Sequence, residues 1–409
     1  MARNRVIYQS DIVFVGSTGA TGSTNRGDHG AIEQLHRVQS ANYSFDVART
    51  DVNQFGQLAA VDRIILEQPT VTLDLNYLVL TGENESRIGL DVGTGDSESA
   101  LTQILSGDDA GSGQQYVKNY YIATSPEGSD AGITGATSSI TGSNASVIGI
   151  GNGFLSSFTV NGAVGDFVNA DVSVEGLNMT FDQASMNDGI NNPAVNPEDG
   201  AGVGTGSDGA GDLISIEELD DNSRSVGTGA GIPAALRPGN VALVTSGVVG
   251  FDSGDLKYQN FTIGFDLSRE NLEQLGSRFA FAKEIEFPAA ATMDFSALIG
   301  DMSATADGGG TGTNDESLEK IVRGTDSSFN CSIDCNGQSA ESGLLFTLKG
   351  AKLISQSVSS SIRVLILALS HKLVDLLILT MVLVSTEAKT TSKNINSDRP
   401  FGADFFLNY

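Results

Sequence analysis

The sequence predicts a mainly β protein made of two tandem β-barrel or β-sandwich domains, each with one short α-helix. Three observations predict it. Residues 38–56 (VQSANYSFDVARTDVNQFG) recur as residues 258–276 (YQNFTIGFDLSRENLEQLG), which aligns Gln39 with Gln259, Phe45 with Phe265, Asp46 with Asp266, Arg49 with Arg269, Gln54 with Gln274 and Gly56 with Gly276. Self-similarity across such a separation marks a duplicated structural unit. The longest apolar segments alternate with polar residues at a period of two, the signature of strands with one face in a core. The composition of 49 Gly and 8 Pro in 409 residues, with 40% apolar residues, allows many turns and two cores of ordinary size.

Each half opens on a short β-branched run, Asp11–Gly16 in the first and Asn240–Thr245 in the second. The repeated segment follows: Tyr43, Phe45 and Val47 alternate with Ser44 and Asp46, as Ile263, Phe265 and Leu267 do with Gly264 and Asp266. After Pro69 and Pro288 come two more alternating strands, Val71–Tyr77 with Asp74 on its polar side and Thr292–Ser296 with Asp294 on its own. Short helices are predicted over Ser97–Leu105, capped by Asp96, and over Asp315–Arg323. Strands at Tyr116–Thr124 and Phe329–Asp334 precede the turn signals Pro126-Glu127-Gly128 and Asn336-Gly337. Long strands then run over Ala145–Phe158 and Leu344–Ile362.

The predicted boundaries are a first domain over 1–181, an acidic Gly-rich linker or long loop over 182–235, and a second domain over 236–409. Residues 363–409 depart from the pattern. Where the first half alternates in VNADVSVEGLNMTF, the second has a block of aliphatics with no period of two. A shifted reading frame is one account of it, since codons for His371–Leu376 read two bases later begin a turn-rich Gln-Ile-Gly-Gly-Pro. His371, Lys372 and Asp375 inside this block argue against a membrane span. The opening MARNRVIYQS lacks a signal-peptide pattern and predicts synthesis in the cytoplasm.

Lys and Arg number 23 against 50 Asp and Glu, a net charge of −27 that excludes binding to nucleic acid through clustered cations. Cys331 and Cys335 have no further Cys or His near them in sequence to complete a metal site. Asp199, Asp208 and Asp212 lack calcium-loop spacing, and Gly149–Gly153 lacks both the spacing and the following helix of a dinucleotide fingerprint. No catalytic residue, cofactor or metal is predicted. The absence of Trp also counts against a glycan hydrolase. The pairs Asp46/Asp266 and Arg49/Arg269 are kept in both copies, either as anchors of the connecting loop or as contacts between subunits in which Arg bridges carboxylates.

Over VQSANYSFDVARTDVNQFGQLAAVDRIILEQPTVTLDLNY, residues 38–77, the chain resembles the tail tube (major tail) proteins of long-tailed bacteriophages. The resemblance rests on V-Q-S-x-x-x-x-F, an R-x-x-x-x-x-x-G segment and a long strand after a proline; the second copy departs from it with Ser277-Arg278-Phe279 after its glycine. It implies a virion structural protein that assembles with itself into stacked rings around a lumen, with the tape-measure protein and other tail proteins as partners and DNA passing without specific binding. Because tail tubes usually present six domains per ring, a duplicated chain is expected to close as a pseudo-hexameric trimer. Asp46, Asp74, Asp266 and Asp294 are then candidates to line the lumen and repel phosphate. Arg49, Arg269, Gln54, Gln274, Gly56 and Gly276 are candidates for subunit contacts or loop anchors. A capsid decoration or surface-binding protein, with Gly-rich loops as the contact surface, is the competing expectation.

Overall fold

The computed structural model describes residues 11–17, 33–65, 68–79, 82–93, 99–102, 104, 117–124, 145–184, 190–191, 193–195, 213–214, 236, 241–246, 256–276, 279–280, 282–299, 329–335, 343–359, 364–372 and 379–384. The protein is mainly β, with its large sheet curled into a half-barrel. The first half holds β1 (Ile12–Ser17), β2 (Glu33–Gln34), β3 (Val38–Asp46), β4 (Thr50–Val52), β5 (Asp62–Ile64), β6 (Thr70–Leu78), α1 (Glu83–Arg87), β7 (Val92–Gly93), β8 (Lys118–Thr124), β9 (Ala145–Ala163), β10 (Asn169–Gly176) and β11 (Asn178–Ala184). Then come β12 (Ile190–Asn191), β13 (Leu213–Ile214), β14 (Val241–Ser246), β15 (Leu256–Asp266), β16 (Arg269–Leu272), β17 (Ala282–Ile285), β18 (Ala290–Ile299), β19 (Phe329–Cys335), β20 (Gly343–Ser359), β21 (Val364–Lys372) and β22 (Leu379–Val384).

One pairing scheme runs through the chain twice. β1 pairs with β8, β8 with the first part of β9, and β9 there takes β11 on its other side. The rest of β9 pairs with β10, β10 with β6, and β6 with β3. The same antiparallel scheme links β14, β19, β20 and β22, and then β20, β21, β18 and β15. Irregularities repeat as well. The register slips at Gln39 in β3 and at Gln259 in β15, and each Gln amide donates to the carbonyl two residues back, Arg37 or Lys257, at 3.1 Å. The repeated Gln therefore has a local reason: it satisfies a backbone acceptor beside a bulge.

Alternation decides which face is buried. Val71, Leu73, Leu75 and Tyr77 of β6 lie in the core, and Met293, Phe295 and Ala297 of β18 occupy the same place in the second half. Cys331 and Cys335 are buried in that core on β19, where burial pushes the Cys331 thiol up to about 12.

Several expectations are corrected. A short helix that was not predicted, α1, occupies residues 83–87. It carries no apolar stripe and is held by polar contacts instead. The Asn84 side chain accepts from the His36 N–H at 2.9 Å and donates to the His36 carbonyl at 2.8 Å, while Tyr77 Oη donates to the buried Glu85 carboxyl at 3.1 Å. Of the helix predicted over 97–105, Thr102 and Ile104 are helical, and Leu101 and Ile104 are buried. The helix predicted over 315–323, the turns at 126–128 and 336–337, and Asp199, Asp208 and Asp212 lie outside the described residues.

Part of the expected linker packs onto the first half. β12 pairs with β13, and Asn152 clasps Val195 through both backbone groups, at 2.8 and 3.1 Å. Close approach also accounts for Gly149, Gly151 and Gly153, which lie within β9, with Pro193 crowding the first two and Tyr120 the third. A Cβ on Gly149 would sit 2.6 Å from Thr180 Oγ1, one on Gly153 2.7 Å from the Tyr120 ring, and one on Gly151 against the Pro193 carbonyl. The aliphatic block after residue 363 supplies β21 and β22, paired in the positions that β10 and β11 hold in the first half. No helix among the described residues is long and apolar enough to cross a membrane.

Candidate assembly interface

The two halves join edge to edge. β15 pairs with the second part of β9, residues 260–266 against 163–157, so one sheet runs β20-β21-β18-β15-β9-β10-β6-β3. The Phe158 and Phe265 rings stack at 5.7 Å, and the Leu267 N–H donates to the Ser156 carbonyl at 2.7 Å. Gly264 is needed here, because a Cβ would come within 2.6 Å of the Phe158 carbonyl oxygen.

Each repeated Arg begins a hairpin arm, β4–β5 after Arg49 and β16–β17 from Arg269. The repeated glycines sit at the arm tips in the left-handed region, Gly56 at φ 92° and Gly276 at φ 100°, which accounts for their presence in both copies. Gln54 accepts through its carbonyl from the Gln57 N–H at 3.3 Å, closing the first tip, and Gln274 occupies the equivalent place in the second. Beside the glycines, Phe55 and Leu275 are fully exposed.

The arms differ in where they lie. The second folds across the junction onto the first half, where Lys283 Nζ, almost buried, meets Glu175 Oε2 at 3.1 Å. Arg269 lies over the Phe154 ring at 5.0 Å; burial pushes its guanidinium down to about 10, with Glu175 and Glu284 pulling the other way. The Ala280 N–H donates to the Gln68 side chain at 3.0 Å. In the first arm the residue equivalent to Lys283 is Arg63, which pairs with Asp51 of its own hairpin at 2.6 Å, and Arg49 is exposed.

The sheet ends on two edges that match the internal junction. At one end, β3 pairs with β6 alone among the described strands, and Tyr43 and Phe45 are 42% and 45% exposed where the equivalent Ile263 and Phe265 are 1% and 2%. At the other, residues 355–359 of β20 are equivalent to residues 157–161 of β9 and pair on one side only among the described strands, with β21.

The four candidate lumen carboxylates share the face of this sheet that turns away from the core. Asp46, Asp74, Asp266 and Asp294 are all exposed, and Asp74 and Asp266 fall in one cross-strand row through Ser173 and Ser157. Hydrogen bonds knit the face together. Ser173 donates to Asp74 at 2.6 Å, and Asn76 and Asn161 donate to the two oxygens of Asp171 at 2.6 and 3.0 Å. Partial burial raises the Asp294 carboxyl above its ordinary value. Along the outward positions of this face carboxylates outnumber cations; exposed cations lie at Lys257, opposite Leu298 at the end of β15, and at Lys352 of β20, opposite Ser370. Such a surface, acidic on balance, repels polyanions.

The carboxylates could be read from the strand period; the Glu175–Lys283–Phe154 contact could not, because its members lie far apart in sequence and form no motif. Comparison with known protein families finds no match, and no curated protein matches the chain.

Proposed function

We propose that this protein is a virion structural protein, a tail-tube subunit whose two repeats are tandem domains, and that it joins head to tail with copies of itself into stacked rings through which phage DNA leaves. The observation that carries this reading is the edge-to-edge β9–β15 junction, flanked by two edges of the same kind that have no partner among the described strands. Pairing β3 of one chain with β20 of the next would repeat the internal register, setting Asp46 opposite Ser355 and Tyr43 opposite Val358 as Asp266 faces Ser157 and Ile263 faces Val160. It would cover Tyr43 and Phe45 and, once the ring closes, leave neither β3 nor residues 355–359 of β20 as a free edge. The carboxylate-rich face supports its use as a lumen in which DNA slides without adhering.

Negative-stain electron microscopy of the concentrated protein tests assembly, with hollow rings or tubes expected. The doubly substituted Asp46→Cys, Ser355→Cys chain tests the register: oxidation should yield covalently closed rings of three chains on a non-reducing gel. Dispersed monomers without cross-links at any concentration would overturn the proposal and favour a decoration or surface-binding protein.

A further inference from the structure

Resting on that proposal, we infer that Lys352 and Arg49 act together as a brake on the docking of a second copy of this chain. The internal junction supplies the template for the contact between chains. There, the incoming arm brings two cations, Arg269 and Lys283, onto an aromatic ring and a carboxylate, Phe154 and Glu175. The register of β19 with β20 sets Ala351 where β8 and β9 set Gly153, so Lys352 is the equivalent of Phe154. The register of β20 with β21 likewise gives Ser370 as the equivalent of Glu175. The arm that would arrive there is β4–β5, with Arg49 in the place of Arg269 and Arg63 in the place of Lys283.

The chemistry of the contact is thus inverted. Where the internal arm finds a ring face and an anion, the arm of a second chain finds an exposed ammonium and no carboxylate. Arg63 already holds Asp51 in its own hairpin, so Asp51 is engaged, and Arg49 meets Lys352 as one cation meets another. Like charges juxtaposed at an interface disfavour docking and slow encounter. One further difference acts in the same direction: Ser44 stands where Gly264 allows close approach. The two edges have the register to join, and the cation pair raises the concentration at which they do so.

Charge reversal separates this account from the general repulsion of an acidic protein. Lys352→Glu and Arg49→Glu each make a chain of net charge −27 more negative, so general repulsion predicts slower assembly for each and the slowest for the double variant. The brake predicts the opposite for the single variants. Each should lower the concentration at which light scattering first detects assembly by roughly fivefold, the scale of an exposed ion pair gained, and the double variant should return toward wild type. Thermal midpoints of the dispersed chains, unchanged among the four proteins, establish that folding is not the cause. Assembly that weakens in step with net charge, while the wild type still forms rings, would overturn the brake and leave the tube reading intact. Failure of all four proteins to assemble at any concentration or salt would overturn both.

Discussion

β3 and β15 are the same strand met twice, and they differ in what lies beside them. β15 has β9 on its outer edge, and its Ile263 and Phe265 are buried; β3 has nothing described there, and its Tyr43 and Phe45 stay nearly half exposed. The arms repeat the contrast. One is clamped across the junction by Lys283 and Arg269, while the other closes its charge within itself through Arg63 and Asp51. Sequence identity between the repeats therefore does not carry identity of environment. One copy shows this strand edge covered, and the other shows it with no described strand beside it, within a single chain.

The largest effect expected from that contrast is at the equivalent phenylalanines. Phe265→Ala removes a buried stacked ring and should cost about 3–5 kcal/mol in urea unfolding, whereas Phe45→Ala should cost the dispersed chain less than about 1 kcal/mol while abolishing ring formation. Equal losses would mean that the junction is not what buries Phe265. Next is α1. The Glu85 carboxyl is buried with its second oxygen unbonded, and burial raises it to about 7 from an ordinary 4.5. Its proton is therefore held more tightly in the folded chain than in the unfolded one. Stability falls as pH rises from about 4.5 to about 7, and the loss is complete above that, on the order of 3 kcal/mol. Glu85→Gln should thus raise stability at pH 8 and change it little at pH 4; chemical denaturation at the two pH values reads the difference.

Glu175→Ser, which gives the first half the residue that Ser370 supplies in the second, leaves Lys283 buried without its carboxylate. A loss of about 2 kcal/mol is expected, reduced from the fully buried case because Glu175 is half exposed. A variant as stable as wild type would show that the clamp contributes orientation rather than stability. The smallest effect on folding is expected from Asp74→Lys combined with Asp294→Lys, within about 1 kcal/mol, because both residues are exposed. In particles, the same pair should impair DNA passage, and normal infectivity would remove the lumen assignment.

Much of the fold was legible because strands with one buried face write their period into the chain. Val71 to Tyr77 and Ile263 to Leu267 show it, and the repeated Gly56 and Gly276 mark a backbone need. What was not legible has physical reasons. α1 is held by Asn84, Glu85 and Tyr77 through hydrogen bonds, which leave no apolar periodicity to read. The aliphatic run in β21 and β22 is ambiguous because a continuous apolar stretch does not separate strand from buried helix. Gly149 to Gly153 fall in a strand as the alternation predicts, but the groups that crowd them, Thr180, Pro193 and Tyr120, come from other parts of the chain. Of the interface, the acidic face was readable from alternation, but the β9–β15 register and the partners of Arg269 were not, since Phe154 and Glu175 come from a different half.

The β9–β15 pairing also has a mechanical meaning. Its seven residue pairs run along the strands, so a pull parallel to them loads every rung at once, whereas a pull across them opens the rungs one after another from an end. β9 continues well beyond the junction, gripped there by β8 and β11 on its two sides. A tug on those strands is delivered to the junction lengthwise, the direction in which a ladder of hydrogen bonds yields last.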